Sequence, residues 1–187
     1  MIFPFPTIQK DLYRILGCKK NRIGILLNLY NPEFVFLFYL RCANYHYKKK
    51  NRLKFLFFKF FWRHYSIKYG YEIHYKCEIA PGLKLVHRGG VVVNSSAKIG
   101  HNVTLQKGCT IGSNRRGKKC GVPSIGDNVW IGANAAIIGK VTIGDDVMIA
   151  PNSYINFDVP SHSVCVGNPA KIIPRENATE FYNENPI

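Results

Sequence analysis

Residues 125–155 read IGDNVW IGANAA IIGKVT IGDDVM IAPNSY I, six residues to a block, with isoleucine opening every block. The same step runs upstream, with Ile73, Ile79 and Leu85 in one run and Val93, Ile99, Leu105 and Ile111 in a second. Thirteen branched apolar positions on one period are not produced by chance. A six-residue step is too short for a β-α-β unit and too regular for hairpins. Sandwich strands alternate with period two and turn at spacings of about 8 to 12 residues, so they are excluded as well. Each hexapeptide is therefore predicted to be one short strand and one corner of a stacked parallel coil, with about five coils between residues 70 and 160. Inward Ile, Val and Leu side chains would stack on their equivalents roughly 4.8 Å away in the next coil. Gly100, Gly112, Gly126, Gly132 and Gly144 follow repeat residues, and Asn102, Asn128, Asn134 and Asp145 occupy predicted corners. These residue types accept positive φ at little cost.

The period breaks twice. The step from Leu85 to Val93 carries two extra residues, and the step from Ile111 to Ile125 carries a loop, Ser113 to Pro123. Insertions in solenoids lie on one face, often the binding face.

Composition bounds the rest. The chain has 187 residues, 47% of them apolar, enough for one substantial core and a smaller appendage. The net charge of +15 is concentrated in residues 1–70, where 14 Lys/Arg meet Asp11 and Glu33 alone, leaving +3 for the remainder. That asymmetry points to an anionic surface met by one segment. Nucleic acid is the weaker reading, because no nucleic-acid motif accompanies the charge and the basic residues sit among Phe and Leu, so none is expected as a partner. The six cysteines form no C-x-x-C pair and are expected to be reduced. The opening MIFPFPTIQKDLYR lacks the features of a secretory signal, so the expected compartment is the cytoplasm, with a peripheral membrane contact as an option.

Residues 1–69 read as a small helical, basic segment, 70–173 as the repeat domain with loop 113–123, and 174–187 as a tail. Asn31-Pro32 ends the apolar stretch Ile23 to Tyr30, and Glu33 to Tyr45 and Arg52 to His64 are predicted helices. Lys48, Arg52, Lys59 and Arg63 fall on one stripe of a helical wheel, with Phe, Leu and Trp over most of the rest. Such a helix is buried by neighbours or lies at a membrane interface, the candidate contact covering residues 48–68. Leu53 to Trp62 is too short to cross a bilayer and contains Lys54 and Lys59.

Several stretches together resemble the serine acetyltransferase-like branch of the hexapeptide acyltransferases. They are Asn31-Pro32-Glu33-Phe34 with Arg41, Gly70 to His74, Leu85 to Val93, Asn102 to Leu105, Ile125 to Gly132 and Gly167 to Ile173. The resemblance implies a mainly β fold, a left-handed parallel β-helix, with a homotrimer, active sites between subunits, and acetyl-CoA in a groove near the C-terminal coils. Serine acetyltransferases have Asp-His where this chain has Val86-His87, and Arg-His-Pro where it has Gly121-Val122-Pro123. Those polar residues grip the amino-acid substrate in that family. The departures, and a shorter helical region, make the chain similar to acetyltransferases of capsular and surface polysaccharides. A sugar hydroxyl is accordingly the expected acceptor, with serine as the alternative and a non-catalytic β-helix scaffold as the second.

Moving acetyl from a thioester to an alcohol needs a base whose pKa lies near working pH, which suits neutral imidazole. His87 is the candidate, because it sits on the two-residue insertion beside Gly89-Gly90 and within the family motif. A lone histidine on a solenoid is otherwise a solvated corner residue. Glu72, equivalent to Val92 one coil away and matched by Asp in the family, is the candidate to orient it, against the plainer reading of an exposed strand glutamate. Arg88, Lys107, Arg115 and Arg116 are candidate acceptor-binding residues, the last two on a basic loop expected to close on an anionic ligand beside the base. The resemblance implies that acetyl-CoA contacts Gly132, Ala133, Ala150, Asn156 and Lys171. His74, His87 and His101 lie 13 and 14 apart, which fits neither a coil repeat nor a paired-ligand motif, so no metal is expected.

Overall fold

The computed structural model describes residues 4–187; the first three residues of the segment read for a signal lie outside them. Helices α1 (Phe5–Leu16), α2 (Arg22–Leu27), α3 (Pro32–Lys48) and α4 (Arg52–Tyr69) precede the coils. Coil 1 comprises β1 (Tyr71–Ile73), β2 (Glu78–Ile79) and β3 (Lys84–Val86), and coil 2 comprises β4 (Val91–Val93), β5 (Lys98–Ile99) and β6 (Thr104–Gln106). Coil 3 has β7 (Thr110–Gly112), β8 (Ser124–Ile125) and β9 (Trp130–Ile131); coil 4 has β10 (Ala136–Ile138), β11 (Thr142–Ile143) and β12 (Val147–Ile149). Coil 5 keeps β13 (Tyr154–Ile155) and β14 (Ser163–Gly167), with a single bridge from Val159 to Ile143 between them, and β15 (Ala170–Pro174) turns back antiparallel on β14.

The strands form a three-sided parallel β-helix. Sheet A is β1-β4-β7-β10-β13, sheet B is β2-β5-β8-β11, and sheet C is β3-β6-β9-β12-β14-β15. The repeat residues pair in register: Ile73↔Val93, Val93↔Ile111, Ile111↔Ile137 and Ile137↔Ile155 in sheet A. Ile79↔Ile99↔Ile125↔Ile143 do so in sheet B, and Leu85↔Leu105↔Ile131↔Ile149 in sheet C. Twelve of the thirteen are buried in one cluster and Ile79 is half-buried against it. Each buried side chain of this kind contributes about 1.5–3 kcal/mol. No coil could bury its face alone, so stability comes from the stack.

The helical N-terminal segment holds four helices among the described residues. Asn31 caps α3, its Oδ1 accepting from Phe34 N at 3.0 Å, with Pro32 and Glu33 in the first turn. Asn51 caps α4 in the same way, and Gly70, at φ 70°, closes it. Lys48 is the last residue of α3, so the charged stripe of α4 contains Arg52, Lys59 and Arg63 without it. Helix α1, not among the helices predicted from sequence, carries Phe5, Ile8, Leu12 and Ile15 at helical spacing and is fixed by tertiary contacts. Its buried Asp11 pairs with Arg41 of α3 at 2.7 Å and accepts from Gly82 N and Leu83 N. Its buried Arg14 donates to Gly82 O, Thr104 Oγ1 and Asn183 Oδ1.

Residues 175–187 are a strap rather than a loose tail. Thr179 N and Oγ1 donate to Asp146 in coil 4, Thr104 in coil 2 donates to Asn183, and Lys84 in coil 1 pairs with Glu184 at 2.7 Å. Ile187 N reaches Asn102 Oδ1. All six cysteines are unpaired thiols; burial pushes Cys77 and Cys165 up to about 11 and Cys109 up to about 12.

Candidate active site

The three sheets define three edges, and each corner belongs to one of them. Along the edge where sheet C passes into sheet A, the left-handed position is held by Gly90, Gly108, Asn134 and Asn152, with φ between 59° and 74°. They stack directly: a Cβ on Gly90 would lie 3.3 Å from Gly108 Cα, and Asn134 fills the space over Gly108. The two extra residues after β3 add two further left-handed positions, His87 at φ 62° and Gly89 at φ 106°. Positive φ at a non-glycine residue outside the regular ladder is strain of the kind found at functional sites. The insertion thus pushes an exposed imidazole out of the regular corner.

The neighbours of His87 hold its backbone. Its carbonyl accepts from the buried Tyr71 hydroxyl at 3.2 Å, and Gly89 O accepts from Gly108 N at 2.9 Å. A Cβ on Gly89 would meet open space, whereas Gly90 lies against Gly108; the room expected beside the base is at Gly89. The Arg88 guanidinium sits 5.8 Å from the Tyr69 ring centroid.

Glu72 pairs with Val92 one coil away, in the register its sequence position implied. Its exposed side chain opens into a groove of about 530 Å³ between α4 and β1, shared with Trp62, Arg63, Ser66, Ile67 and His74. Trp62 Nε1 donates to Ile73 O and Ser66 Oγ to Tyr71 O, so the groove wall is tied to β1. No hydrogen bond joins Glu72 to His87. Burial, then Lys76 and Lys59, holds the His74 imidazole below its usual range, so it stays neutral near pH 7.

The remaining candidates divide between two edges. Lys107, Gly132, Ala133 and Ala150 lie at successive corners of the same edge as His87, and the hairpin before Lys171 turns at its far end. Four intervals of about 4.8 Å separate the His87 corner from that hairpin, a run of roughly 19 Å. Asn156 follows β13 and belongs to the edge between sheets A and B. Arg115 and Arg116 are exposed on the loop after β7, on that same second edge. The loop closes through an Asn114↔Gly121 bridge and anchors by Lys119 on Asp158 at 2.7 Å. Within one chain His87 and this loop leave opposite sides of sheet A. His74, His87 and His101 stand on three different edges.

The bacterial transferase hexapeptide (six repeats) family matches residues 123–156. Serine acetyltransferase 2 of Arabidopsis thaliana is 42% identical over 107 residues, 56% of this chain and 32% of that protein. The serine acetyltransferase of Helicobacter pylori is 37% identical over 107 residues, 57% of this chain and 63% of that protein. The crystal structure of Neisseria gonorrhoeae serine acetyltransferase in complex with serine superposes with a TM-score of 0.74 at 30% identity, covering 91% of this chain and 69% of that one. The chain belongs to the hexapeptide-repeat acetyltransferases. The match spans about a third of the plant relative's length and 63% of the Helicobacter protein's. Tyr71, the residue that pins the His87 carbonyl, was missed in the sequence, where it reads as one more inward repeat-strand residue.

Proposed function

We propose that this hexapeptide-repeat acetyltransferase is an acetyl-CoA-dependent O-acetyltransferase with His87 as the general base. The supporting observation is the extra left-handed pair at His87 and Gly89, set at one end of an edge that carries Gly132, Ala133 and Ala150 and ends near Lys171. In this reading the neutral imidazole takes the acceptor hydroxyl proton as the oxygen attacks the thioester carbonyl. The C–S bond then breaks, and the imidazolium returns the proton to the departing CoA thiolate, giving an O-acetyl ester and free CoA thiol. Glu72 faces the groove beside that corner and orients the imidazole once substrate draws the two together.

The acceptor is serine in the reading that the relatives support. The Arabidopsis, Helicobacter and Neisseria proteins are serine acetyltransferases by name, and the Neisseria structure holds serine. They reverse the order read from the sequence, which put a sugar hydroxyl first, and nothing among them supports a polysaccharide acceptor. One observation favours a neutral hydroxyl as the second reading. Val86 and Gly121-Val122-Pro123 stand where the carboxylate and the Arg-His pair of an amino-acid site are expected. CoA-thiol release with acetyl-CoA and L-serine, run beside hexose and hexosamine acceptors, tests the assignment. Turnover on serine alone upholds it, turnover on sugars alone selects the second reading, and absence of acetyl-CoA binding overturns both.

Assembly as a homotrimer, which the resemblance implies, is part of the same proposal. His87 and loop 113–123 occupy different edges of one chain, so in a ring of three one chain's loop would face the next chain's His87 edge. A monomer in sedimentation equilibrium contradicts this.

A further inference from the structure

The outer face of α4 carries an exposed apolar ridge along most of its length. Leu53, Leu56, Phe57, Phe60 and Ile67 are all exposed, Leu53 at 83%, Phe60 at 69% and Ile67 at 67%. Their spacing of i, i+3, i+4, i+7 and i+14 puts them on one ridge of the helix, opposite the buried Trp62 and Ser66. Arg52, Lys59 and Arg63 run along one flank of the ridge, and Lys54 and Lys68 along the other. No acidic residue occurs between Glu33 and Glu72. The α3–α4 turn adds exposed Lys48, Lys49 and Lys50 at one end.

We propose that α4 docks the protein on an anionic lipid surface, with the Leu53–Ile67 ridge entering the headgroup boundary and the flanking cations meeting lipid phosphates. An apolar ridge between two basic flanks is the arrangement of an interfacial helix: apolar area drives insertion, and long cationic side chains reach back to the headgroups. The helix lies on the surface and does not span it, because no helix among the described residues is long and apolar enough to cross a membrane. A second copy of α4 is a poor occupant, since it would bring like charges against both flanks and no acid to answer them. Arg63 and Ile67 also line the groove that holds Glu72, so docking would bring its mouth to the lipid surface.

Flotation of the full chain with vesicles of phosphatidylcholine alone, and with phosphatidylglycerol added, tests the inference. Binding is expected with the anionic vesicles at low salt, weakened by salt, with neutral vesicles bound much less. Lys54→Gln and Lys59→Gln should each weaken it by about fivefold, and Phe60→Ser by at least as much. All three positions are exposed, so circular dichroism should be unchanged. Failure to float with anionic vesicles, or flotation indifferent to all three substitutions, overturns the proposal. A Phe60→Ser variant that falls to a smaller assembly in light scattering, from a wild type that ignores vesicles, assigns the ridge to a second copy instead.

Discussion

The buried Tyr71 hydroxyl donates to the carbonyl of His87 at 3.2 Å, so the strand that carries Glu72 also fixes the backbone of the candidate base. Tyr71→Phe keeps the ring in the core and leaves that carbonyl without its donor. A loss of about 1 kcal/mol in stability is expected, measured by urea unfolding. Turnover should fall by about three- to tenfold, because a loosened base samples the productive geometry less often. Unchanged turnover would show that the bond does not position His87.

Glu72→Gln removes the carboxylate while keeping the groove's shape. Turnover is expected to fall by less than in a His87 variant, because orienting the base contributes less than removing the proton. Unchanged turnover leaves Glu72 as an exposed strand residue.

The sheet A stack predicts its own sensitivity. Ile111 pairs with Val93 on one side and Ile137 on the other and is fully buried, so Ile111→Ala should cost about 2–5 kcal/mol in thermal or urea unfolding. A cost below 1 kcal/mol would mean the coils are not packed as a continuous core.

Ile111 also shows why this fold was legible. A period of six converts into strand register without further information, and Glu72 fell opposite Val92 for the same reason. The edges can be counted the same way. Counting hexapeptides in threes puts His87 after a sheet C residue, Leu85, and the basic loop after a sheet A residue, Ile111, hence on different edges. Where helix α1 and the strap dock was not legible, because Arg14 and Asp11 are decided by partners such as Thr104, Asn183 and Gly82, far away in sequence. The ridge on α4 was visible as composition, but which side faced outward depended on Trp62 and Ser66 docking on β1.

The strap is predicted to respond to pH. A hydrogen bond to Asp146, then Glu176, raises the His162 imidazole above its ordinary value of 6.5. Burial opposes ionisation of Asp146, but donors from Thr179, His162 and Ala178 outweigh it and hold the carboxyl below 3.8. The imidazole's contribution is complete below 6.5 and fades as pH rises through its raised value; the carboxylate's is complete above 3.8 and fades as pH falls through its lowered value. Hydrogen exchange at Thr179, corrected for intrinsic rates, should therefore be slowest between those limits and accelerate above neutrality. His162→Gln should flatten the alkaline part, and an identical profile in that variant would contradict the account.

In the proposed reaction His87 removes the acceptor proton. The most direct test is single-turnover CoA-thiol release from acetyl-CoA by wild type and His87→Ala, with an acceptor that wild type turns over and with acetyl-CoA binding and assembly size measured on both. The His87→Ala rate should fall by about 10² to 10⁴, with acetyl-CoA affinity and assembly unchanged. A His87→Ala protein that transfers acetyl at the wild-type rate would contradict this role.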